Sequence, residues 1–147
     1  MKKYFNNFCL ILITLALTGV MYGCKDDDGE FVHTDNLINQ LFMMTSQEGA
    51  QHQFTIDEYD ANGNLVTEDI TPESVAGGYG ICHISFDFTQ RGEIDLTKVY
   101  LVADVSYDVM ISPALTGTHD ISGEGIVINV KGGNNHVRKY RIYGEFN

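Results

Sequence analysis

The chain has 147 residues, with 9 Lys and Arg against 20 Asp and Glu and a formal net charge of −11. So acidic a surface argues against nucleic acid or anionic lipid as partners, because both are held through basic side chains. The length suffices for one domain with a real core behind a short N-terminal segment.

The N-terminus has the layout of an export signal: Lys2 and Lys3 precede an apolar run over residues 8–20, FCLILITLALTGV. That run is shorter than the ~20 residues a bilayer-spanning helix needs, so a permanent membrane helix is the poorer reading. Val20-Met21-Tyr22-Gly23-Cys24 resembles a lipobox, in which a small residue precedes the cysteine that receives a diacylglyceryl group. The resemblance implies that residues 1–23 are a lipoprotein signal peptide and that Cys24 carries the lipid. Lys25, Asp26, Asp27 and Asp28, followed by Gly29-Glu30, have no core-forming capacity and read as a solvated tether. The same run resembles the export signal that follows the acylated cysteine of surface-exposed lipoproteins of the Bacteroidetes type. It implies an outer-membrane, lipid-anchored protein facing the medium. On this reading residues 24–36 are linker and residues 37–147 the folded domain.

Removing the signal peptide takes away Lys2, Lys3 and Cys9 but no acid, so the mature chain is more acidic still. With Cys24 acylated, Cys82 remains alone and no intramolecular disulfide is expected. Cys82 falls in phase with Ile84 and Phe86, which makes it a small buried hydrophobe rather than a nucleophile.

Along the domain the period is two. Residues 37–45 suit a short helix or a first strand, and the strand-rich chain beyond favours a strand. Residues 52–70 form a β-hairpin about the turn at Asp60-Ala-Asn-Gly-Asn64, where Asn62-Gly63 tolerates positive φ. Asp57, Asp60, Asn62, Asn64 and Glu68 could suggest a calcium loop, but Gly63 comes too early after Asp60 for EF-hand spacing. From Gly80 the chain alternates, with Cys82, Ile84, Phe86 and Phe88 inward and His83, Ser85 and Asp87 outward. Val99, Leu101, Ala103 and Val105 give another inward face, continued by Val109 and Ile111 after a break. Ile126, Ile128 and Val130 oppose Tyr140 and Ile142 in a second hairpin, joined by Gly132-Gly-Asn-Asn135. Seven or eight short strands without a long helix make an all-β domain, most economically two packed antiparallel sheets.

Asp95-Leu96-Thr97, the segment from Ser106 to Pro113, Gly117 to Ser122, and Lys139-Tyr140-Arg141-Ile142 follow one another in an order that resembles a known family. It is the Ig-like domain of Bacteroidetes cell-surface lipoproteins, often encoded beside polysaccharide-uptake machinery. The resemblance covers about the C-terminal third, and more loosely the mature chain. It implies an Ig-like β-sandwich and a place on the cell surface, and it says little about activity.

The chain contains no Gly-x-Ser-x-Gly, and His33, His52, His83, His119 and His136 form no zinc-binding spacing, so an enzyme is not expected and no cofactor or metal is called for. His119-Asp120 reads as part of a turn. Sugars stack on aromatic faces, which makes Tyr59, Tyr79, Tyr100, Tyr107 and Tyr143 candidates for glycan binding. Of these Tyr79, beside Gly77-Gly78 in an expected loop, Tyr100 and Tyr107 are the candidate site. The function expected is a non-catalytic accessory module for glycan capture or uptake, with polysaccharide as partner. The alternative is a structural or protein-interaction module in a cell-envelope complex. Exposed aromatics gathered on one sheet face would favour the first; a bare edge strand or an apolar patch would favour the second.

Overall fold

Period-two alternation, as read along the chain, becomes two sheets that share one core. The computed structural model describes residues 34–46 and 48–147. The signal peptide, Cys24 and the acidic run from Lys25 to Asp28 lie outside the described residues. The strands are β1 (Gln40–Met44), β2 (His52–Gln53), β3 (Thr55–Tyr59), β4 (Leu65–Val66) and β5 (Tyr79–Phe86). After a 3-10 turn at Phe88–Gly92 come β6 (Val99–Asp104), β7 (Met110–Ser112), β8 (Thr118–His119), β9 (Ile126–Lys131) and β10 (Val137–Phe146).

One sheet has the order β2-β1-β6-β8 and the other β4-β3-β5-β10-β9-β7. Each ladder is antiparallel except β5 with β10, which run parallel from Lys139 opposite Tyr79 to Phe146 opposite Phe86. The all-β sandwich expected from the sequence is therefore present, with three two-residue strands that local patterning does not resolve.

Leu41, Met43, Val99 and Leu101 project inward from the smaller sheet. Cys82, Ile84, Phe86, Ile128, Val130, Tyr140 and Ile142 meet them from the larger one, and Ile94, Leu96 and Ile121 join the same core. Each such aliphatic side chain contributes roughly 1.5–3 kcal/mol relative to exposure. The second hairpin closes as expected, with Tyr140 opposite Ile128 and Ile142 opposite Ile126.

Two local expectations change. The stretch 52–70 is not one hairpin: β2 pairs with β1 in the small sheet, whereas β3 and β4 form the hairpin in the large one. Phe54 is buried at the crossing, and its N–H donates to the Leu41 carbonyl. Phe88 is 60% exposed rather than inward. Asp87 ends the strand ahead of it by capping the 3-10 turn, accepting from the Thr89 N–H while the Gln90 side chain accepts from the Asp87 N–H. At the end of the expected linker, Asp35 accepts hydrogen bonds from the Leu37 N–H and, at 2.5 Å, from the Ser106 hydroxyl. The segment between β4 and β5 contributes a fully buried side chain, Val75.

Candidate functional site: the outer face of the six-stranded sheet

Because β3, β5 and β10 bury alternate residues, the others must stand on the opposite face. The registers arrange them in rows. Leu65, Tyr59, Tyr79 and Lys139 lie side by side, then Asp57, Ile81, Arg141 and Val127, then His83 and Tyr143, then Ser85 and Glu145.

In the first row the rings of Tyr59 and Tyr79 stack with centroids 4.8 Å apart and planes 10° from parallel. Tyr79 is 42% exposed, and as the first residue of β5 it belongs to the sheet rather than to a loop. In the third row His83 stacks on Tyr143 at 6.0 Å. Asp57 reaches across from β3 to His83, with 3.1 Å between Oδ2 and Nε2. The Arg141 guanidinium lies over the Tyr143 ring, 5.3 Å from its centroid, and Nη2 donates to Glu124 at 2.6 Å. Glu124 is almost fully exposed, so that ion pair contributes little to stability. Loss of solvent, then Asp57 and the nearby Tyr79 and Tyr143, hold the Tyr59 hydroxyl above its ordinary range, which keeps it a neutral donor and acceptor.

Beneath this face lies a polar cluster that the sequence did not announce. Arg138 and Glu58 are 2% and 4% exposed. Arg138 Nε donates to Glu58 Oε2 at 2.8 Å, and the Tyr140 hydroxyl donates to Oε1 at 2.5 Å. The rest of the guanidinium satisfies backbone carbonyls: Val75 at 2.5 Å, Tyr59 at 2.9 Å and Tyr79 at 2.7 Å. One buried cation thus ties together the backbones of the two residues whose rings stack above. Burial pushes the Glu58 carboxyl up, against the lowering effects of Tyr140 and Arg138. Burial also pushes up the Tyr140 hydroxyl and the Cys82 thiol, leaving Cys82 an inert core residue.

Further along β5 and β10 the face runs into a groove of about 880 Å3. Ile81, Arg141, Tyr143 and Glu145 line it from the sheet, and Phe88, Arg91, Glu93 and Asp95 from the turn beyond β5. Arg91 sits over the Phe88 ring at 5.5 Å. Asp95 is held by Thr97, whose hydroxyl and N–H both donate to Oδ1, and this keeps its carboxyl below the usual range.

Of the three tyrosines singled out from the sequence, only Tyr79 is on this face. Tyr100 lies on β6 in the other sheet, and Tyr107 projects from the segment between β6 and β7, 78% exposed. Tyr100 does not share a platform with Tyr79, because β6 pairs with β1 and the core separates the two sheets. Tyr59 and Tyr143 take their place. The turn at Asp60 is accounted for by hairpin chemistry, with Asp60 Oδ1 accepting from the Asn62 and Asn64 N–H groups. His119 ends β8, and Asp120 accepts from the Ser122 N–H in the turn after it.

No family model matches the chain, and no curated protein matches it. Among solved structures, one of a Bacteroides fragilis protein taken to be secreted is similar at 12% identity and a TM-score of 0.43, over 78% of this chain and 97% of that one. Among the described residues no helix is long and apolar enough to cross a membrane.

Proposed function

We propose that this chain is an exported, lipid-anchored, non-catalytic binding module that captures glycan on the outer face of its six-stranded sheet. The observation that carries the reading is the pair of ring stacks, Tyr59 on Tyr79 and His83 on Tyr143, displayed on one open face with the Asp57–His83 pair beside them. The ring faces that their stacking partners leave uncovered suit the C–H faces of a sugar, and carboxylate, imidazole and guanidinium groups around them suit its hydroxyls. Cys82 is buried, and Asp87, Asp95 and Asp120 cap their own turns. The export and anchoring part of the proposal rests on the apolar leader, Cys24 and the acidic run after it. The edge strands β4 and β7, two and three residues long, offer little ladder for a protein partner to extend.

Screening the mature chain, with Cys24→Ser to keep it soluble, against arrayed plant, host and microbial glycans tests the reading. Saturable binding is expected, weakened about tenfold by Tyr79→Ala, the equivalent of ~1.4 kcal/mol. Tyr100→Ala, on the opposite sheet, is expected to bind as the parent does. Absence of binding to any glycan, or equal losses from both substitutions, would overturn it.

A further inference from the structure

We infer that the ligand is an extended, uncharged glycan chain lying lengthwise along β5 and β10, from the Tyr59–Tyr79 stack into the groove beside Phe88 and Arg91. This rests on the glycan-binding reading above and adds the length, course and charge of what is bound.

Length comes from the register. Tyr79, Ile81, His83 and Ser85 stand in a line along β5, matched one for one by Lys139, Arg141, Tyr143 and Glu145 because the two strands run parallel. Six residue steps at ~3.3 Å each make this track roughly 20 Å long, several times the width of one sugar ring. The track does not stop at the sheet's end, since the groove walled on one side by Arg141, Tyr143 and Glu145 is lined on the other by Phe88 and Arg91, which follow β5.

The far end of the track is equipped for binding. Phe88 is exposed at the start of its 3-10 turn, and Arg91 lies over it. Among the described residues Arg91 makes neither hydrogen bond nor ion pair, so the five N–H donors of its guanidinium are available to a ligand. On the opposite wall Arg141 over Tyr143 repeats the same combination of ring and guanidinium.

Charge decides the class. Arg91 and Arg141 share the groove with Glu93, Asp95 and Glu145. An anionic polymer would meet three carboxylates and the field of a chain with net charge −11, and a cationic one would meet both guanidiniums. An uncharged polyol uses donors and acceptors alike. Interleaved signs therefore read hydroxyls without selecting an ion.

The test is calorimetric titration of the mature Cys24→Ser chain with neutral gluco-, manno- and xylo-oligosaccharides of increasing length, and with oligogalacturonate as the acidic counterpart. Affinity is expected to rise from disaccharide to hexasaccharide. Phe88→Ala and Arg91→Ala, both surface substitutions whose folding a thermal melt verifies, are expected to lower hexasaccharide affinity about tenfold and leave the disaccharide unchanged. Tyr79→Ala is expected to weaken both. Length-independent binding, a preference for oligogalacturonate, or hexasaccharide affinity indifferent to Phe88 and Arg91 would overturn this inference and leave the sheet-face reading standing. No binding of any sugar would overturn both.

Discussion

Arg138 ties together the strands that carry the proposed binding face, although it never reaches that face. Its guanidinium neutralises Glu58 and holds the carbonyls of Tyr59, Val75 and Tyr79. Removing one member of a buried ion pair strands the other, at a cost of about 3–5 kcal/mol. Arg138→Met is therefore expected to destabilise the fold by about that much in urea denaturation. Adding Glu58→Leu removes the stranded carboxylate, so the double variant should be more stable than the two single losses summed. Additivity within about 0.5 kcal/mol would mean that the two side chains act independently. Neither residue was legible as part of a pair, because Glu58 and Arg138 are 80 positions apart and each stands in a locally unremarkable strand. The tyrosines were legible as aromatics able to stack. Their grouping was not, since Tyr59, Tyr79 and Tyr143 become neighbours only through long-range register.

At the scale of the elements, the parallel contact of β5 with β10 organises the larger sheet, and it closes tightly at one place. A Cβ on Gly80 would overlap the ring of the buried Tyr140 directly opposite. Gly80→Ala should consequently cost about 1–3 kcal/mol by overpacking, read as a lower urea midpoint with the denaturant slope unchanged. A neutral effect would show that Tyr140 can move aside. Alternation made β5, β6, β9 and β10 readable, as the inward Cys82, Ile84, Phe86, Val99 and Leu101 confirm. It failed at Phe88, where a capping aspartate outweighed the apolar phase, and at 52–54, where the chain changes sheet while keeping its strand character. Parallel pairing has no local turn to announce it, so it could not be read from the chain at all.

The two-sheet domain follows a leader of the export type, which would place it outside the cytoplasm. In cells fed labelled palmitate, the full-length protein is expected to take up label and fractionate with membranes. Cys24→Ala is expected to lose both properties. Unchanged labelling of that variant would refute the anchor while leaving the binding face untested by it. The strongly acidic composition fits a surface protein that stays soluble and avoids anionic polymers.

The central claim is that the outer face of the six-stranded sheet is where ligand binds, and a two-dimensional NMR titration addresses it most directly. The mature Cys24→Ser chain would be titrated with the neutral oligosaccharide that binds best. Perturbed amides are expected to cluster on Tyr59, Tyr79, Ile81, His83, Arg141 and Tyr143, while Tyr100 and Val102 on the other sheet stay still. Perturbations centred instead on the β1–β6 face would contradict it.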